Sequence, residues 1–220
     1  RDAHALALDL VESMLRHYAV VAIAAYRHAG ARDLKVNRIL SEQLPRPSMG
    51  SWKNILQVLA AADKELLPEQ FREKFLAPLT RKKSHPDISG TYAGLQNLSD
   101  QDVFASSEIQ PQPEFIFCTP LEFFDAAVAY RNRFAGHGTQ TLPEANQEFA
   151  PILLKGITAQ CTGLRSVWLS CPVYVAKQAT LYGGVYSRLI PLVEGEGLTE
   201  LKTSDKSVVS DRLYLCFGDR

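Results

Sequence analysis

Leu6, Leu10, Met14, Tyr18, Val21 and Ala25 recur every three or four residues, the spacing that lines one face of an α-helix. The pattern predicts one long helix over residues 3–28, stopped by Gly30. An apolar stripe of that length has to be covered by other elements. The same periodicity returns several times along the chain, so the chain is read as a mainly α helical bundle.

The later segments fit that reading. Residues 36–43 predict a second helix, ended by Pro45. Pro47-Ser48-Met49-Gly50-Ser51-Trp52 announces a third, with Ser48 or Ser51 able to cap its free N–H groups. Trp52, Ile55, Leu56, Leu59 and Ala60 share one face, and Trp52 reads as a core anchor rather than a platform for a base. Residues 68–83 predict a helix or a pair, with Phe71, Phe75, Leu76 and Leu79 inward. Residues 84–118, broken by Pro86, Pro111 and Pro113, read as irregular apart from a short helix over 100–106. Thr119-Pro120-Leu121-Glu122 is a full helix start: Thr119 caps, Pro120 fits the first turn, and Glu122 completes the capping box. That helix runs to about Phe134. A second long helix is expected over 143–170, kinked by Pro151.

From Pro172 the texture changes to strand. Val173, Tyr174, Val175, Leu181, Tyr182, Val185 and Tyr186 favour sheet, and Gly183-Gly184 marks a hairpin turn or bulge. Residues 211–217 predict a last strand. Two regions follow: a helical domain over 1–171, and a small antiparallel β appendage, or the start of a following domain, over 172–220. An initial Arg and a strand-like end read as a piece of a longer polypeptide with further domains.

Composition narrows the function. Apolar residues make up 46% of the 220, enough for a core. Lys plus Arg and Asp plus Glu both number 24, so no global basic field holds nucleic acid, and phosphate binding requires a local cluster. No apolar run approaches about 18 residues, and no secretory leader is visible. Cys118, Cys161, Cys171 and Cys216 are scattered and read as reduced, buried cysteines of a cytoplasmic protein. No phosphate-cradling glycine loop, nucleophile elbow or metal-ligand spacing occurs, so neither metal nor cofactor is expected. His4 and His28 read as surface residues, and His17 and Arg27 as a solvated face. The tyrosines are too dispersed to form a base-stacking row.

The one segment that carries chemistry is Ala-Tyr-Arg-Asn-Arg-Phe-Ala-Gly-His-Gly, residues 129–138. Arg131 offers a rigid fork of donors to phosphate oxygens, and His137 can move protons near neutral pH. On an ideal helix residues six apart diverge by about 240°. Gly136 lets the chain leave the helix so that His137 can swing back toward Arg131, with Asn132 orienting either one. His137 would then serve as general acid or base, and Arg131 would stabilise charge on phosphorus. Arg133 reads either as a second phosphate contact or as part of the solvated face. Arg81-Lys82-Lys83 is the one dense basic run, either a solvated helix end or a contact to the phosphate backbone.

Arg-Asn-Arg-Phe-Ala-Gly-His-Gly resembles the Arg-x(4–6)-His signature of HEPN domains, with five residues between Arg131 and His137 and a polar Asn132 after the Arg. A helical body with the motif on a late helix, followed by another long helix, is also similar to that family, over residues 1–171. Pro-Ser-Met-Gly-Ser-Trp looks like helical modules of bacterial signalling and conflict proteins. The resemblance implies one of two things. Either the chain binds RNA or a nucleotide and acts as a metal-independent ribonuclease, with Arg131, Asn132 and His137 forming a site in a homodimer. Or it is a non-catalytic regulatory or dimerisation module of a larger signalling or defence protein.

Overall fold

The computed structural model describes residues 3–30, 32–62, 64–81, 119–134, 150–165, 167, 173–181, 184–191, 200–203, 208 and 213–215. The chain divides into two compact units, Arg1–Leu164 and Arg165–Arg220. The first is helical and the second is a small antiparallel sheet.

Helix α1 spans Ala3–His28 and contains neither proline nor glycine. Gly30 ends it with a φ of 66°, the left-handed conformation that costs glycine nothing. Its buried face is Ala7, Leu8, Val11, Met14, Leu15, Tyr18, Ala19, Val21, Ala22, Ala25 and Tyr26, with His4 at the start. Leu6 and Leu10 are not on that face; they are 49% and 44% exposed. Positions 6 and 10 share the helical spacing with 14 and 18, but so do 7 and 11, and packing selects the second pair. His4 is also buried, against the surface placement expected for it.

Helix α2, Leu34–Gln43, is capped by Asp33, whose carboxylate accepts from the Val36 N–H at 2.8 Å. The buried Tyr26 braces this junction: its hydroxyl accepts from the Asp33 N–H at 2.7 Å and donates to Asn37 Oδ1 at 3.2 Å. Helix α3, Met49–Ala60, starts at Ser48, which accepts from the Ser51 N–H at 3.2 Å. It buries Met49, Trp52, Ile55, Leu56 and Leu59.

A 3-10 turn, Lys64–Leu66, leads to α4, Glu69–Phe71, which widens into a π-turn over Arg72–Leu76 and closes as α5, Ala77–Thr80. Pro78 gives the physical reason. It has no N–H to donate, and its ring clashes with a carbonyl one turn back. The helix expands just before it, with the Ala77 N–H reaching Arg72 O. Phe71, Phe75, Leu76 and Leu79 all face inward.

Helix α6, Pro120–Phe134, and helix α7, Ala150–Gly163, complete the described bundle. Pro151 is the second residue of α7 as described, where an absent N–H breaks no bond within those bounds. Helix α1 touches α3, α6 and α7, and α6 touches α3, α5 and α7. An aromatic cluster fills their centre. Ring centroids lie 5.8 Å apart for Tyr18 and Phe75, 5.9 Å for Tyr18 and Phe124, 4.7 Å for Phe71 and Phe75, and 5.5 Å for Phe123 and Phe124. Cys161 on α7 is exposed rather than buried as expected; the other three cysteines lie outside the described residues. So do the segments read as irregular over 84–118 and as helical over 143–149.

The second unit holds β1, Val173–Leu181, β2, Gly184–Pro191, β3, Leu201–Thr203, and β4, Leu213–Leu215. Their order is β3-β2-β1-β4, with antiparallel neighbours. Strands β1 and β2 form a hairpin whose last pair is Leu181 with Gly184, so Gly184 opens β2. Lys177, Arg188 and Lys202 stand side by side across three strands. Glu200 relieves that like-charge row by gripping Arg188 through two bonds of 2.6 and 2.5 Å.

Candidate functional site

Helix α6 carries the first part of the motif, residues 129–134, and three anchors set its position. At its start Thr119 Oγ1 accepts from the Glu122 N–H at 3.0 Å, while the Glu122 carboxylate accepts from the Thr119 N–H at 2.5 Å. This is the reciprocal capping box read from the sequence. Gln160 of α7, fully buried, donates to Pro120 O at 3.4 Å beside it. In the first half of the helix Phe123 and Phe124 enter the aromatic cluster, and Asp125 pairs with Lys53 of α3 at 2.7 Å.

The third anchor lies at the far end. Tyr130 is fully buried, and its hydroxyl shares a 2.7 Å hydrogen bond with His4 Nε2, 126 residues away in sequence. The two rings meet edge to face, with centroids 5.6 Å apart. Burial pushes the Tyr130 phenol well above its ordinary range, so it keeps its proton at neutral pH. His4 is the residue that sequence reasoning missed. A signal was there: Ala7, Leu8 and Val11 follow it at the helical spacing of the buried face.

Each residue along a helix turns about 100°. Beyond the buried Tyr130, Arg131 is half-buried and Asn132 is exposed, so the surface rotates from core to solvent across the motif's first residues. Among the described residues, the Arg131 side chain has neither a hydrogen-bond nor an ion-pair partner. The backbone of Arg133 continues the helix. His137 lies outside the described residues, as do Lys82 and Lys83 of the basic run. Arg81 is exposed, one residue past the end of α5. The described part of the candidate site is thus Arg131 and Asn132 on the last described turn of α6. A guanidinium and an amide there can supply donors to an anion.

No group of three or more His, Cys, Asp or Glu residues among those described could hold a metal ion. No helix among them is long and apolar enough to cross a membrane. A groove of about 510 Å³ lies between α1 and α2, lined by Ile23, Tyr26, Arg27, Asn37, Leu40 and Leu44 among others. None of the described motif residues lines it. Comparison with protein-family models, curated proteins and solved structures found no match to this chain.

Proposed function

We propose that the helical unit is a HEPN-like module of a larger bacterial signalling or defence protein, binding the phosphate of RNA or a nucleotide at Arg131 and Asn132. His137 makes this site a metal-independent ribonuclease in the dimeric protein. The observation that supports the reading is the last described turn of α6. A helix fixed at three points carries there a guanidinium that no described carboxylate neutralises, six positions ahead of an imidazole in sequence. His137 takes the proton of a ribose 2′-hydroxyl, whose oxygen attacks phosphorus as the bond to the 5′-oxygen breaks. Arg131 stabilises the charge that builds on the phosphoryl oxygens. The leaving 5′-oxygen takes up a proton from water, His137 gives its own up to solvent, and a 2′,3′-cyclic phosphate remains.

The test is an assay on single-stranded RNA in a chelator, with products separated by end group. Wild-type chain yields cyclic-phosphate ends, and His137→Ala yields none while its circular dichroism and solution mass stay unchanged. Arg131→Ala removes a charged donor worth about 1.5–3 kcal/mol, so binding weakens on the order of 10–100-fold. A chain that neither cleaves RNA nor binds RNA or nucleotide at low salt refutes the reading, and leaves a non-catalytic regulatory or dimerisation module.

A further inference from the structure

Helix ends fray, because their last carbonyls lack partners within the helix. In the sequence, Gly136 and Gly138 follow closely on the described residues of α6, and glycine sustains a helix poorly. A group meant to meet a phosphate from that turn needs a restraint of its own. Tyr130 opens the turn, and its fully buried hydroxyl bonds to His4 at 2.7 Å. Phenylalanine would fill the same space without a polar atom to satisfy, so apolar packing alone does not account for the hydroxyl. What the hydroxyl adds is direction. A hydrogen bond fixes the rotation of residue 130 about the helix axis, and Arg131 stands about 100° further round.

We infer that His4 and Tyr130 are positioning residues for the Arg131 turn, a clamp from the start of α1 that holds the guanidinium at one bearing. The inference rests on the phosphate-binding reading of Arg131 for its purpose, while its geometry is measurable without RNA. The clamp also makes the first turn of α1, remote in sequence, part of the site's support.

The experiment uses the whole 220-residue chain. Backbone ¹⁵N relaxation is recorded at residues 131–134 in wild type, Tyr130→Phe, His4→Leu and His4→Gln, with RNA binding and thermal unfolding measured alongside. Tyr130→Phe is isosteric and should fold even if His4→Leu does not. Wild type is expected to hold order parameters of about 0.85 at these residues, and Tyr130→Phe to let them fall toward about 0.6. His4→Gln, which keeps a hydrogen-bonding group, should restore part of the order. RNA affinity should fall for Tyr130→Phe at temperatures far below its unfolding midpoint, which a purely structural role would not produce. Unchanged order parameters in Tyr130→Phe overturn the clamp whatever RNA does. A loosened turn combined with RNA binding indifferent to Arg131→Ala keeps the clamp and overturns the phosphate reading instead.

Discussion

Replacing Phe124 with alanine tests the packing that places the motif helix. Phe124 is fully buried, with its ring 5.9 Å from Tyr18 and 5.5 Å from Phe123, so α6 meets α1 through it. Truncating a buried phenylalanine costs about 3–5 kcal/mol through lost transfer energy and the cavity left behind. Part of that cost is the tilted and edge-on ring contacts, each worth about 0.5–1.5 kcal/mol beyond area. Domains of this size have a total stability of about 5–15 kcal/mol, so one side chain removes a large share. At about 2–4 °C per kcal/mol, the midpoint should fall by roughly 6–20 °C.

The assay is urea and thermal unfolding followed by helical circular dichroism, which reports the first unit. Leu10→Ala serves as the control. Helical spacing alone groups Leu10 with Tyr18, yet it is 44% exposed, so its loss should stay within about 0.5 kcal/mol. A Phe124→Ala cost below about 1 kcal/mol, or a Leu10→Ala cost equal to it, would refute the assigned face of α1 and the seating of α6.

Two further outcomes follow from single groups. Thr119→Ala should cost about 1 kcal/mol by removing the acceptor of the Glu122 N–H, whereas Thr119→Ser should restore most of it; equal unfolding midpoints for both variants would dismiss the cap. Burial holds the His17 imidazole below its ordinary value of 6.5, so between 6.5 and the lower folded value the unfolded chain binds more protons. Its contribution is complete above about pH 6.5 and is lost as pH falls below that; His17→Gln should flatten this stretch of the stability profile, and an unaltered slope would exclude His17 as its source.

Much of the fold was legible because its signals are local. The bounds of α1, the Ser48 cap, the Thr119–Glu122 box and the inward Phe71, Phe75, Leu76 and Leu79 each follow from a few neighbouring residues. What was not legible needed a partner distant in sequence. Leu6 and Leu10 fit the helical period as well as Ala7 and Val11 do, and only the neighbouring helices decide which pair is covered. The short β3 offers three residues with no strand pattern of its own, and becomes a strand by pairing with β2. The π-turn before Pro78 was readable in principle, since a proline at that point forces some adjustment, but its form depends on the buried Phe75 and Leu76 keeping their places. At the site, Arg131 and Asn132 stood out by residue type, while His4 did not, because a histidine's burial is decided by its partner.

That difference bears on how the function can be tested. The anchors of α6 are Thr119 and Glu122, Phe123 and Phe124, Asp125 and Tyr130. None of them is Arg131 or Asn132. The forces that place the helix are burial and satisfied polar groups on one side, and the groups assigned to chemistry lie where the surface turns outward. A half-buried arginine contributes packing through its stem as well as charge through its head. Arg131→Met keeps most of the stem and removes the charge, so it separates anion binding from folding more cleanly than truncation does. The residues that seat α6 and the residues proposed to meet phosphate therefore lie on different faces of one helix, joined at Tyr130, whose ring belongs to the core and whose hydroxyl is bonded to His4.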